Sequence, residues 1–461
     1  MNSLVIKGGT VVLPNGNFVL DVAINDGKIV GLTENICGEF ENTINAQGKY
    51  IFPGFIDTHV HSRDASRTDV EDFNHSTLAA AAGGITTIFE MPNASPAIID
   101  KKSFAHQLDN YSSKAHVDFG MWALCLGNIN NNQIQELADY GVVGFKFFWG
   151  YSIDKLSYQL IYNEGDNKNV ILPLRSSDIY EIFKEVQKTG KQLAIHAENA
   201  DLIRYNEKIY RHKDGLSDYD KLLKIRSEAV ETSTVSKAIE MSRTTGCKLH
   251  ILHVSSQSTT ELVEQAQNDN ISVTCETCPQ YLFLNKEDYQ RIGPRMKVYP
   301  PIRESGDSLG IMNKINAGVV SHVCSDHAPH KLEDKLGNIF EIPSGMCGVE
   351  TLVPLMVNAV SQKLMTHRKL AEVLSESPAK MYGMYPQKGS LIIGTDADIT
   401  IIDFNNALII KEKNLHSKSK VTAFDQYKVK GKPFATIVRG HIVMIDDVMS
   451  EKKIGKFVSS N

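Results

Sequence analysis

Eight short apolar runs rich in β-branched residues, at 55–60, 85–91, 117–124, 142–148, 192–197, 248–254, 271–275 and 319–324, constrain the fold of this chain most. Helix-patterned stretches such as Leu78–Ala82, Asp178–Lys188, Glu228–Arg243 and Ser258–Asn268 separate most of them. A strand that returns through a helix pairs in parallel, and eight such units fit a (β/α)8 TIM-like barrel, an α/β fold, with long loops. A doubly wound sheet shows the same alternation, but no G-x-G-x-x-G opens a helix here, so the barrel is favoured.

Both chain ends have a different texture. Leu4–Ile6, Val11–Leu13, Asp21–Ile24 and Lys28–Leu32 read as short strands, with Asn15-Gly16 and Asp26-Gly27 as hairpin turns. Ser390–Asp403 and Ala435–Ile445 repeat that pattern. The expected organisation is a small β-sandwich domain from residues 1–52 plus 386–450, a barrel over 53–385, and a loose polar tail at 451–461.

Composition narrows the function class. Of 461 residues, 42% are hydrophobic and 22% charged, as in ordinary globular proteins, and a net charge of −5 gives no footprint for nucleic acid or an anionic membrane. No apolar run reaches the roughly 18 residues of a membrane span, and the N-terminus lacks a signal-peptide pattern. Seven cysteines, an odd number, read as free thiols, so a cytoplasmic enzyme is expected.

Chemistry enters as polar exceptions within the apolar runs. In FIDTHVH, His59 and His61 are two apart on one strand and share a face. Neutral imidazole is the commonest metal ligand, although two hydrogen-bonded core histidines would show the same spacing. Lys146 sits inside VVGFKFF, where a bare ammonium would cost on the order of several kcal/mol to bury. His196, His253 and Asp326 close the fifth, sixth and eighth runs, at the strand ends where barrels place their chemistry.

These residues, in this order, resemble the cyclic-amide branch of the amidohydrolase superfamily: dihydroorotases, allantoinases and hydantoinases/dihydropyrimidinases. PGFIDTHVH (53–61), AAAAGGITT (79–87), MPN (91–93), HAEN (196–199), ETCPQYL (276–282), PPIR (300–303), SDHAPH (325–330) and KGSLIIGTDADITIID (388–403) extend the likeness over nearly the whole chain. The resemblance implies two divalent metal ions, zinc first, and a Lys146 carboxylated by CO2 that bridges them. His59, His61 and Asp326 would hold one ion, and His196 and His253 the other. Asp326 would also shuttle the proton, and Tyr151 would stabilise the oxyanion.

The implied substrate is a small cyclic amide, and the signals for its identity diverge. Arg63, Asn93 and His330 resemble the carboxylate-binding trio of dihydroorotases, which ranks that activity first. Tyr151, five residues after Lys146, resembles hydantoinases and dihydropyrimidinases, while RTDVEDFNHSTLAAAAGG (67–84) resembles allantoinases. Tyr299 stands where Asn or Ser usually precedes the two prolines. Cys275-x-x-Cys278 reads as packing, His327 as a loop-orienting residue, and His250 and His322 receive no role. A homodimer or homotetramer is implied; a non-catalytic scaffold subunit is the remote alternative.

Overall fold

The computed structural model describes residues 3–64, 66–161 and 169–460. Eight parallel strands form its centre: β1 (Phe55–Val60), β2 (Ile85–Glu90), β3 (Asp118–Leu124), β4 (Gly144–Trp149), β5 (Gln192–Ala197), β6 (Leu249–Ile251), β7 (Val273–Thr277) and β8 (His322–Val323). Each pairs with its sequence neighbours, so the expected TIM-like barrel is the observed one. Closure between β8 and β1 uses loop backbone, with the His61 amide donating to the His327 carbonyl at 2.8 Å and the His327 amide to the His59 carbonyl at 3.3 Å. β1 through β4 are buried at every position, which is why they read as unbroken apolar runs.

Helices cover the barrel with the stripe their sequences foretell. Ser176–Thr189 buries Ile179, Ile182, Phe183 and Val186, the i, i+3, i+4, i+7 face. Phe73–Gly83 starts at Asp72, whose carboxylate accepts the His75 amide. A three-stranded sheet of Ser152–Asp154, Leu160–Ile161 and Val170–Ile171 follows β4; its strands are too short to be read from the sequence.

The chain ends build one nine-stranded sheet, joined where Tyr50–Pro53 runs antiparallel to Ile399–Ile409. Leu4, Ile6, Val22, Ile24, Ile51, Ile399 and Ile437 form its apolar core. Asp26-Gly27 makes the expected two-residue turn, with both residues at positive φ. The first hairpin differs by one residue: Leu13 pairs with Gly16, so Pro14 and Asn15 form the loop.

Residues 454–460 of the expected loose tail are docked, while 451–453 are exposed; Asn461 lies outside the described residues. The Phe119 amide donates to Lys456 O at 3.0 Å and the Val458 amide to Phe119 O at 2.8 Å, extending the start of β3. Phe457 packs against Phe104 and Phe119. One aromatic among polar neighbours carries little weight in a sequence pattern, yet here it fills an apolar notch beside open backbone groups.

A buried ion cluster ties β3 to the end sheet. Lys388 Nζ donates to Asp118 at 2.6 Å and to Asp398 at 2.5 Å, and Arg439 also reaches Asp118. Lys388→Met would leave buried carboxylates short of a cation and should destabilise the fold by about 3–5 kcal/mol. Urea unfolding measures this; a midpoint unchanged from wild type would show that the cluster contributes nothing net.

Candidate active site

At the C-terminal rim of the barrel, the six residues singled out as ligands come together from β1, β4, β5 and the loops after β1, β6 and β8. Lys146 Nζ lies 3.1 Å from His59 Nε2. Asp326 Oδ1 lies 3.2 Å from His59 Nε2 and 3.7 Å from His61 Nε2. Opposite them, His196 Nδ1 faces His253 Nε2 at 2.9 Å, and the His59 and His253 rings are 5.5 Å apart between centroids. Arg63 (φ 58°), His253 (φ 38°) and Asp326 (φ 48°) all have left-handed backbone, a strained state that clusters at functional sites.

Burial fixes the charge states. It pulls His59 down to about 4 and holds His61, His196 and His253 below the ordinary imidazole range, so all four rings are neutral at neutral pH. The same desolvation lowers the Lys146 amine and raises the Asp326 carboxyl. Three rings have a fixed tautomer. His59 Nδ1–H donates to Glu276 at 2.7 Å, His61 Nδ1–H to Asn93 Oδ1 at 2.8 Å, and His196 Nε2–H to Glu198 at 2.9 Å. Their other nitrogens present lone pairs to the centre, as metal-ligating histidines do. Four neutral imidazoles, a carboxylate and an amine converging in this way fit divalent metal ions.

A cavity opens above this cluster, and Arg63, Asn93, Tyr151 and Tyr299 also line it. Gly150 (φ 87°) lets the chain turn sharply after β4; a Cβ there would stand 2.4 Å from the Glu198 carbonyl oxygen. That turn delivers Tyr151, whose hydroxyl donates to Glu198 at 3.3 Å and receives Arg226 Nη1 at 3.4 Å. Arg226 pairs with Glu198 and stacks on Tyr299, its guanidinium 3.3 Å from the ring centroid.

Of the expected carboxylate-binding trio, Arg63 and Asn93 line the cavity and His330 lies behind it. Asn93 turns its oxygen to His61. His330 is not a lining residue; its Nε2 is 2.8 Å from the Ser344 carbonyl, and since a carbonyl only accepts, that nitrogen carries the proton. It therefore cannot also accept from Arg63 Nη2 at 3.4 Å. Burial and the nearby Arg63 hold His330 down at about 2, so it brings no positive charge. Of the three, Arg63 alone presents a cation to the cavity.

Sequence reasoning missed Glu276, Glu198 and Arg226. Glu276 is fully buried on β7 and accepts from Thr58 as well as His59; His322 lies 3.0 Å away and His250 3.4 Å. The two histidines given no role thus flank this carboxylate, with rings stacked at 5.1 Å. An acid inside an apolar strand was the available signal. Glu198 is two residues after His196, the same spacing that made His59 and His61 legible. His327 does orient its loop: Nδ1 accepts the Gly348 amide at 3.1 Å. Cys275 and Cys278 are buried, with Cys278 Sγ 3.5 Å from Cys324 Sγ, consistent with packing.

Comparisons with known proteins agree with this geometry. Residues 50–443 match the Amidohydrolase family. The allantoinase of Enterococcus faecalis is 34% identical, with 99% of each chain covered. The L-hydantoinase of Paenarthrobacter aurescens is 31% identical over all of this chain and 98% of its own. Among solved structures, the L-hydantoinase (dihydropyrimidinase) from Arthrobacter aurescens superposes with a TM-score of 0.92 at 30% identity over the full length of both chains. A D-hydantoinase follows at 0.88 and 27%, with 99% of this chain and 98% of that one covered. With its barrel, its rim of buried imidazoles and this end-to-end similarity, the chain belongs to the amidohydrolase family.

Proposed function

We propose that this chain is a metal-dependent hydrolase that opens a hydantoin-type ring, the five-membered cyclic ureide common to 5-substituted hydantoins and allantoin. The observation that carries the reading is the convergence of His59, His61, His196, His253, Asp326 and Lys146 on one cavity. Its relatives along the whole chain bear the names L-hydantoinase and allantoinase, which favours the second-ranked expectation over the dihydroorotase-like one.

In this reading His59, His61 and Asp326 would hold one divalent ion and His196 and His253 a second, and Lys146, as a carbamate, would serve both, with zinc the first candidate metal. The carbamate turns a costly buried amine into an anion that the ions neutralise. When bound, the metals polarise the ring carbonyl and acidify water. Asp326 accepts the water proton and returns it to the ring nitrogen as the carbon–nitrogen bond breaks, giving the open ureido acid. Tyr151, released from Glu198, donates its hydroxyl proton to the oxyanion in a hydrogen bond. Arg63 faces the C5 substituent, where a ureido oxygen suits a guanidinium better than an alkyl chain does.

Zinc-loaded protein should open allantoin or a 5-substituted hydantoin with a kcat/KM at least about 100-fold above that for dihydroorotate. Preference for dihydroorotate would reverse the reading. Arg63→Met should lower kcat/KM for allantoin by about 10- to 150-fold, the loss of a charge-assisted contact, and spare hydantoins with alkyl substituents. Equal losses on both would remove Arg63 from substituent recognition.

Glu276→Gln keeps shape but withdraws the charge that fixes and strengthens His59 as a ligand. Metal affinity should fall by about 10- to 100-fold, read by chelator competition. Unchanged affinity would show that the β1 ligand needs no partner behind it.

A further inference from the structure

Resting on the reading of the cavity as a cyclic-ureide site, we propose that Lys335 is a positioning residue whose Nζ, donating to backbone carbonyls, fixes the Ile342–Gly345 wall against which the ring binds. Lys335 is fully buried, and the three hydrogen bonds of its Nζ all go to backbone carbonyls: Lys297 at 3.0 Å, Pro343 at 3.0 Å and Gly345 at 2.9 Å. An apolar side chain would fill this space at lower desolvation cost. What an ammonium adds is three donors on one atom.

The neighbouring carbonyls are held in the same way. Ile342 O accepts from Lys297 Nζ at 2.5 Å and Ser344 O from His330 Nε2 at 2.8 Å. Four successive carbonyls, 342 through 345, therefore each receive an N–H from a side chain rather than from a strand or helix. Ser344 and Gly345 are lining residues of the catalytic cavity. The wall is also pressed onto the loop carrying Asp326. The Ala328 amide donates to Met346 O at 2.9 Å, and a Cβ on Gly345 (φ 122°) would stand 2.4 Å from the Ala328 carbonyl oxygen. Lys335 follows Asp326 by nine residues in the chain but lines no part of the cavity, so its influence on the reaction runs through this wall.

Lys335→Ala leaves a pocket of carbonyls that methylammonium can enter and that tetramethylammonium, without an N–H, cannot satisfy. With zinc-loaded full-length protein and the cyclic ureide the wild type opens best, KM should rise about tenfold or more. kcat should stay within about threefold, and bound metal should stay at the wild-type level. Methylammonium should restore KM, and should slow deuterium uptake by the 340–346 segment; tetramethylammonium should do neither. A folded Lys335→Ala variant with wild-type KM, or one whose defect both ions relieve equally or not at all, would overturn the proposal. If that variant does not fold, His330→Ala, which frees only Ser344 O, should raise KM with metal content unchanged, and an unchanged KM would overturn it. A wild type that opens no cyclic ureide would refute the substrate reading instead, and deuterium uptake would still test Lys335.

Discussion

Burying ionisable groups without leaving them unsatisfied is the constraint around which this barrel rim is built. Glu276 answers it first. It lies beneath the cluster with no exposure, accepts from Thr58 and His59, and has His322 and His250 on its flanks. Those partners hold its carboxyl well below the usual range despite burial, so it remains an anion. Its charge orients His59, His59 faces Lys146 and Asp326, and the positions of β1, β4, β7 and the loop after β8 are thereby coupled at one point.

A second chain of the same kind runs on the opposite side. His196 leans on Glu198, Glu198 pairs with Arg226, and the Arg226 carbonyl accepts Arg303 Nη1 at 3.0 Å. Arg303 in turn meets Glu231 at 3.2 Å. Two buried ion pairs, Glu198–Arg226 and Glu231–Arg303, are thus linked through one backbone carbonyl. They also connect a candidate ligand to Tyr151 and Tyr299 in the cavity wall. Tyr299, unusual before its two prolines, thus acquires a physical partner in the stacked guanidinium of Arg226.

The barrel was legible because strands covered on both faces must be apolar almost throughout, and the helices between them carry a one-sided stripe. The same purity made His59, His61, Lys146, His196, His253 and Asp326 stand out as exceptions. What stayed hidden depends on partners far apart in sequence. Glu276 meets His59 across 217 positions, and no local pattern records that pairing. Phe457 found its notch only once β3 existed. Arg63, Asn93 and His330 read as one carboxylate clamp by analogy of motif; motif alone does not record that Asn93 also meets His61 or that His330 meets the Ser344 carbonyl. Lys335 showed no signal because an isolated lysine in a polar stretch looks solvated.

The central claim is that the buried amine of Lys146 becomes a carbamate joining two metal ions. The direct measurement is 13C NMR of protein produced with zinc and 13C-bicarbonate, combined with metal analysis of the same sample. The account expects about two metal equivalents per chain and one carbamate resonance that disappears when a chelator strips the metal. Full metal occupancy with no carbamate signal, or a carbamate indifferent to metal removal, would contradict it.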